Sequence, residues 1–264
     1  MPTAKPRART YDSAKIRAAV TRQFGQVHGA IRGLTAEQLA APTGLGDWTV
    51  RELAVHLTMT VESVSRCLDE PEPAGRPTGL LEYPQLTAGF AEAVAEHTQG
   101  VAERKPDLVG LYDEVAERFE RRLADATDGR LLAVRSGAMR LADYLVTRTV
   151  ELVVHTDDLN RATGLGIPLE RQAVAACTRL LADTLAARAP GASTEVRIPP
   201  YAVVQCIEGP RHTRGTPPNV VETDPLTWIR LATGRTDWQS ALDGAKVAAS
   251  GERADLAALL PLMS

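Results

Sequence analysis

Cysteine and long apolar runs are scarce in this 264-residue sequence, and each scarcity argues against a class of protein. Cys67, Cys177 and Cys206 lie far apart and include no CxxC pair, which argues against a disulfide framework and favours small core residues. No apolar run approaches the roughly 20 residues needed to span a bilayer. The N-terminus lacks the apolar core of a signal peptide. We therefore expect a cytoplasmic protein with no membrane association.

Excess positive charge is also missing. The 30 lysines and arginines are outnumbered by 33 acidic residues, for a net charge of −3, and no basic stripe stands out. Nucleic acid is therefore not an expected partner. The composition is 44% hydrophobic, enough to bury one large core or two smaller ones. Residues 1–11 carry a few basic side chains and no apolar pattern, and we expect a disordered tail there.

Helical patterns fill the first two thirds of the chain, and strand-like runs appear only afterwards. The predicted helices cover residues 12–33, 50–68, 84–103, 107–126, 139–162 and 168–188. The later strand-like runs are TEVRI, YAVVQCIEG and KVAAS, and the short helical pieces are DPLTWIRLATG, DWQSALDG and a closing ADLAALLPL. This pattern predicts an α+β protein with a helical domain over residues 12–165 and a smaller α+β domain over 166–264.

A helix start is marked in the segment DWTVRELAVHL. Thr49 and Glu52 have the spacing of a capping box, and Trp48 and Leu53 stand at the positions of a hydrophobic staple. The helix that follows places His56 among apolar residues.

Two further ionisable residues occur in a helix that is apolar on most sides. Glu151 and His155 are four positions apart in VELVVHTDDL, so they share one helix face. Buried ionisable groups need partners. His56, Glu151 and His155 would satisfy one another around a metal ion, because two histidines and one glutamate form a known catalytic zinc set with an open fourth position. The alternative is a buried His–Glu hydrogen bond with an unrelated histidine.

The segments LGDWTVRELAVHL and TRTVELVVHTDDL resemble the mycothiol-dependent maleylpyruvate isomerase family, part of a larger DinB-like group of four-helix metal proteins. The resemblance covers roughly residues 12–165 and implies a DinB-like four-helix bundle. It implies zinc as the metal, with His56, Glu151 and His155 as ligands, although this ligand set also accepts nickel, cobalt or iron. It further implies mycothiol as a thiol cosubstrate.

Two neighbours of the proposed ligands are candidates for orienting them. Arg148 lies three residues before Glu151, and Asp158 lies three residues after His155. Either side chain would support a ligand from the second coordination shell. The alternative is a surface pair or a charge in the last helical turn.

The C-terminal segment that begins VETDPLTWIR at Val221 resembles the C-terminal half of sterol-carrier-type domains, which implies a sterol-carrier-like α+β fold. The loop GPRHTRGTPPNVVETDP contains Arg211 and Arg214, which would bind a carboxylate of the substrate or of the thiol cofactor. The alternative is a solvated loop.

Two functions follow from these patterns. The first is a zinc-dependent enzyme that activates mycothiol for isomerisation of an electrophilic substrate or for thiol transfer to it. The second is a carrier of lipid or another hydrophobic ligand, which would use the C-terminal domain and retain the metal site only as a vestige.

Overall fold

The computed structural model describes residues 9–209 and 218–263, so predictions that fall on residues 1–8 and 210–217 lie outside it. The chain divides into two compact units. The helical unit comprises Tyr11–Gly79 and Gly89–Ala173. The mixed unit comprises Leu80–Ala88 and Val174–Ser264, together with the described part of Met1–Thr10.

Helices account for most of the regular structure in the described residues. The α-helices are α1 (Ser13–Ile31), α2 (Ala36–Leu39), α3 (Val50–Asp69), α4 (Tyr83–Leu86), α5 (Ala91–Arg104), α6 (Leu108–Ala124), α7 (Leu141–Thr163), α8 (Arg171–Arg188), α9 (Pro225–Ala232) and α10 (Trp238–Asp243). The strands are β1 (Leu131–Val134), β2 (Gly137–Arg140), β3 (Thr194–Ile198), β4 (Ala202–Cys206), β5 (Val220–Thr223) and β6 (Val247–Ser250). Short 3-10 turns cover Leu80–Glu82, Thr87–Phe90 and Ala257–Leu259.

Four long helices of the helical unit form a bundle. Helices α1 and α3 each pack against both α6 and α7, and α5 packs on α3. The apolar side of α3 repeats at helical spacing through Leu53, Leu57, Val61 and Val64, all of which are fully buried. The bundle therefore places the middle of α3 directly beside the middle of α7.

The ends of α3 and α7 follow the signals in the sequence. Thr49 and Glu52 form the predicted capping box at the start of α3, and the Thr49 amide donates to the Glu52 carboxylate at 2.8 Å. Gly164 ends α7 in the left-handed conformation (φ 70°), which glycine adopts without strain, and its amide donates to the Asn160 carbonyl. Between these caps α7 is buried around most of its circumference, as its apolar sequence predicts.

The mixed unit contains a four-stranded sheet in the order β4-β3-β5-β6. Strand β3 pairs antiparallel with β4, opposing Val196 to Val204, and parallel with β5, opposing Val196 to Val221. Strand β5 then pairs antiparallel with β6. Val196 and Ile198 are fully buried on β3, so one face of this central strand contributes to a core. The predicted α+β fold class is confirmed.

Several predicted elements are shorter than expected, and three strands were missed. Helix α5 starts at Ala91 and not at residue 84, because a 3-10 turn that contains Gly89 separates it from the short α4, which holds Pro84 in its first turn. The closing ADLAALLPL forms only a 3-10 turn, since Pro261 disfavours a helical residue before it. Strands β1, β2 and β5 were not predicted.

Within residues 9–209 and 218–263, no helix combines the length and apolarity required to cross a bilayer.

Candidate metal centre

Two neighbouring helices of the bundle bring His56, Glu151 and His155 together. His56 lies on α3, and the other two lie one turn apart on α7. The Glu151 Oε2 atom is 3.6 Å from His56 Nε2 and 3.5 Å from His155 Nε2. One potential ligand atom from each residue lies within 4.8 Å of the other two. The three side chains are 12%, 11% and 13% exposed, so they form a nearly buried cluster.

The cluster geometry fits a small divalent cation. In a tetrahedral site with bonds of about 2.0–2.1 Å, neighbouring ligand atoms are roughly 3.3 Å apart. The two observed nitrogen–oxygen distances of 3.6 and 3.5 Å are close to this value. Two imidazole nitrogens and one carboxylate oxygen would occupy three positions and leave one open. The residues present therefore fit a metal such as zinc.

Burial and charge inside the cluster favour the metal-binding protonation states of His56 and Glu151. Burial lowers the pKa of His56, and the interaction with Glu151 only partly offsets this effect. Burial alone would raise the pKa of Glu151, but His155, His56 and Arg148 together hold it well below its usual range. A neutral imidazole and an ionised carboxylate are the species that bind metal.

His155 is supported by a carboxylate behind its ring. Asp158 is fully buried, and its Oδ2 atom accepts a hydrogen bond from His155 Nδ1 at 3.0 Å. Although burial alone would lower the pKa of His155, Asp158 and Glu151 raise it. Arg161 in turn donates to the other oxygen of Asp158. This arrangement leaves His155 Nε2 directed toward Glu151.

Arg148 is the other neighbour that the sequence analysis singled out. It is buried on α7, its Nε donates to Thr147 Oγ1 at 3.1 Å, and its guanidinium carbon lies 4.4 Å from the centroid of the Tyr144 ring. Its positive charge also lowers the pKa of Glu151. Arg148 therefore supports the ionised form of the carboxylate electrostatically.

The remaining predictions and omissions concern residues around the cluster. Arg211 and Arg214 lie outside the described residues. Two features of the site were not predicted from the sequence: Arg161, which pairs with Asp158, and the contact of Trp48 with the His56 ring. The i,i+3 spacing of Asp158 and Arg161 is a signal for their pair. No sequence spacing signals the contact between Trp48 and His56, because Trp48 lies in the loop before α3 and His56 lies in the second turn of that helix.

The fold and the site define a two-unit protein with a four-helix bundle that contains a candidate metal centre. The sequence profile of the mycothiol maleylpyruvate isomerase N-terminal domain matches residues 20–160, more than half of the chain, and the profile described as bacterial SCP ortholog matches residues 170–262. The chain therefore belongs to the mycothiol maleylpyruvate isomerase family, with an SCP-like C-terminal domain, as the sequence resemblance predicted.

Solved structures show the same fold. A crystal structure of the mycothiol-dependent maleylpyruvate isomerase is similar with a TM-score of 0.61 and 14% sequence identity, covering 93% of this chain and 95% of that chain. A histidine-to-alanine mutant of that isomerase gives the same values. A search of curated proteins finds no match.

Proposed function

We propose that this chain is a zinc-dependent enzyme that activates a low-molecular-weight thiol, mycothiol, for isomerisation or thiol transfer. The observation that carries the proposal is the cluster of His56, Glu151 and His155, with potential ligand atoms within 4.8 Å of one another inside the bundle. Membership in the mycothiol maleylpyruvate isomerase family supports the choice of thiol. The two solved neighbours named for that isomerase support the fold on which the cluster is built.

The chain's own residues would perform separate tasks. His56, Glu151 and His155 hold the metal, while Asp158 orients His155 and Arg148 supports the charge of Glu151. A bound divalent ion with an open position lowers the pKa of a thiol there, so that a thiolate is available near neutral pH. The nearly buried position of the cluster limits competition from water for that position.

The thiol must come from outside the chain. Cys67, Cys177 and Cys206 are buried. Burial raises the pKa of Cys67 and raises that of Cys206 to about 11, which makes both poor nucleophiles at neutral pH. An external thiol such as mycothiol supplies the nucleophile in their place.

Two reactions are open to such a thiolate. In an isomerisation, its sulfur adds to one carbon of an activated double bond, the resulting single bond rotates, and elimination of the same thiolate restores the double bond. In a transfer, the sulfur forms a bond to an electrophilic carbon while a leaving group departs with the bonding electron pair. Both reactions require an electrophilic small-molecule substrate.

Metal analysis of the full chain tests the proposal. Protein stripped with a chelator and then titrated with Zn²⁺ is expected to take up about one ion per chain, and His56→Ala and Glu151→Ala are expected to lose most of this uptake because each removes one of three ligands. The matched control is His28→Ala, which removes a histidine that pairs with Asp113 on the same bundle.

A second measurement addresses the thiol. Addition of mycothiol to the Co²⁺-loaded wild type is expected to produce a sulfur-to-metal charge-transfer band that the His56→Ala variant lacks. Wild-type protein that binds no divalent metal, or that binds metal without a thiol-dependent band, contradicts the proposal.

The alternative function is transport of a hydrophobic ligand by the mixed unit. Its support is the match of residues 170–262 to the profile described as bacterial SCP ortholog. The mixed unit also has an open groove of about 410 Å³. The groove is lined by Pro84, Gln85, Ala88, Arg188, Pro261, Leu262 and Met263. Under this alternative the full chain binds a fluorescent fatty acid, and His56→Ala binds it equally well. Absence of binding to the wild type removes the alternative.

A further inference from the structure

The two histidines of the cluster differ in what lies behind their rings. His155 Nδ1 donates to Asp158, whereas His56 Nδ1 is buried and has no hydrogen-bond partner among residues 9–209 and 218–263. Metal-binding histidines almost always use their second nitrogen in a hydrogen bond that fixes the ring orientation. The terminal torsion of histidine is otherwise broad and permits ring rotation. Another contact must therefore orient His56.

Trp48 is the side chain in position to provide that contact. Its ring centroid lies 5.1 Å from that of His56, and the ring planes make an angle of 50°. The centroid of the His155 ring lies 4.7 Å from that of His56, and the two ring planes are nearly perpendicular. Both distances lie in the range of favourable aromatic pairs, which is roughly 4.5–7 Å. The His56 imidazole is thus in contact with an indole and with the second imidazole.

Hydrogen bonds of the loop fix the backbone of Trp48. Trp48 closes a short loop. Its backbone carbonyl accepts hydrogen bonds from both the amide and the hydroxyl of Thr43, at 3.1 and 2.7 Å. The Trp48 amide donates to the Leu45 carbonyl. Gly44 and Gly46 adopt positive φ values of 76° and 56° inside this loop, which other residues rarely reach. Trp48 is also adjacent to the residue that caps α3, so the loop and the helix start hold it together.

From these contacts we infer that Trp48 is the positioning residue for His56: its indole restrains the imidazole so that Nε2 faces Glu151 and the metal position. Trp48 orients the His56 ring by packing, whereas Asp158 orients the His155 ring by a hydrogen bond. This inference rests on the metal site of the proposed function, and it assigns to the loop before α3 a role in metal affinity.

Metal affinity of full-length variants tests the inference. Trp48→Leu removes the ring and is expected to weaken Zn²⁺ binding about tenfold, the lower end of the range for loss of a supporting contact. Trp48→Phe keeps an aromatic ring against His56 and is expected to restore affinity to within about threefold of the wild type. The Co²⁺ absorption spectrum should change in Trp48→Leu and remain close to wild type in Trp48→Phe.

Trp238→Leu is the matched control, because it removes a buried tryptophan from α10 in the other unit and should leave metal affinity unchanged. Thermal unfolding establishes that each variant is folded. If Trp48→Leu does not fold, Trp48→Met, whose longer and more flexible apolar side chain adapts to the space without a ring, replaces it with the same expected loss.

The possible results separate the inference from the function on which it rests. Wild-type protein that binds no metal contradicts the proposed function. Wild-type protein that binds metal, together with a folded Trp48→Leu or Trp48→Met variant of unchanged affinity and Co²⁺ spectrum, overturns the role of Trp48 alone. A loss of affinity that Trp48→Phe does not restore also overturns it, because ring packing would then not be the cause.

Discussion

At the scale of single residues, Asp158 carries a carboxylate in a fully buried position beside a histidine. The Asp158→Asn substitution keeps the shape of the side chain but removes its charge. We expect Zn²⁺ affinity to fall about 10–100-fold, because His155 loses the charged partner that fixes its orientation and raises its basicity. Competition with a chromogenic chelator measures this change in the full chain.

Asp143→Asn is the control for that measurement. Asp143 lies in the first turn of the same helix, two turns before Glu151, and the substitution makes the same chemical change. Its metal affinity should equal that of the wild type. Equal affinities of the Asp158 and Asp143 variants would contradict a supporting role for Asp158.

The sequence predicts part of the cluster by itself. Glu151 and His155 follow from helical spacing, because residues four apart share a face. His56 is 95 positions before Glu151 in the numbering, so spacing does not connect the two helices. The need of buried ionisable groups for partners suggested that they meet, and the family resemblance favoured this over an unrelated histidine. Trp48 shows what spacing cannot predict: its position suggested packing on Leu53 and gave no sign of the ring contact with His56 that the structure shows. Such a contact depends on the direction in which the loop leaves the helix.

At the scale of elements, the start of α3 controls the helix that carries His56. Glu52→Ala removes the carboxylate that accepts hydrogen bonds from the amide and hydroxyl of Thr49. We expect the free energy of unfolding to fall by about 0.5–2 kcal/mol, the usual effect of losing a helix cap. Urea denaturation followed by circular dichroism gives this value.

Glu120→Ala provides the comparison, since it removes an exposed glutamate from the middle of α6. Its free energy of unfolding should stay within about 0.5 kcal/mol of the wild type. If the two variants unfold at the same urea concentration, the capping box contributes nothing measurable.

Long elements with strong end signals were the most predictable. Helix α3 has a capping box and α7 has a terminal glycine, and the predicted and observed bounds agree within about two residues, the normal variation of helix ends. The hairpin of β1 and β2 was missed because each strand has only four residues, LLAV and GAMR, without clear alternation of apolar and polar positions. Pairing between strands stabilises such short segments, and pairing is not visible in either segment alone.

At the scale of the whole molecule, metal binding should raise the stability of the folded chain. A ligand present at 100 times its dissociation constant adds about 2.7 kcal/mol to the free energy of unfolding, provided that it binds only the folded state. For a chain of this length, that corresponds to a rise in Tm of roughly 5–10 °C. Thermal melting with Zn²⁺ and with excess chelator measures the difference.

Glu151→Ala removes a ligand and serves as the reference for this experiment. Its Tm should be the same with Zn²⁺ and with chelator. An equal zinc-dependent rise in both proteins would assign the stabilisation to some other site.

The two units of the molecule interleave along the chain. Leu80–Ala88 belongs to the mixed unit, although the chain before and after it belongs to the helical unit. The sequence marks this stretch only by Pro84 and by the turn-forming residues that precede it at 70–79. Its assignment depends on contacts with residues far away in the chain, including the Pro261–Met263 segment that lines the same groove.

The inclusion of Leu80–Ala88 in the mixed unit matters for any attempt to express the two units separately. A fragment that ends near residue 165 would contain every candidate ligand, yet Leu80 and Pro84, which are buried in the full chain, would lose the neighbours they have in the mixed unit. The complementary fragment would lack the stretch that covers part of its groove. Neither fragment contains exactly one complete unit, so truncation near residue 165 exposes surface that is buried in the full chain on both products.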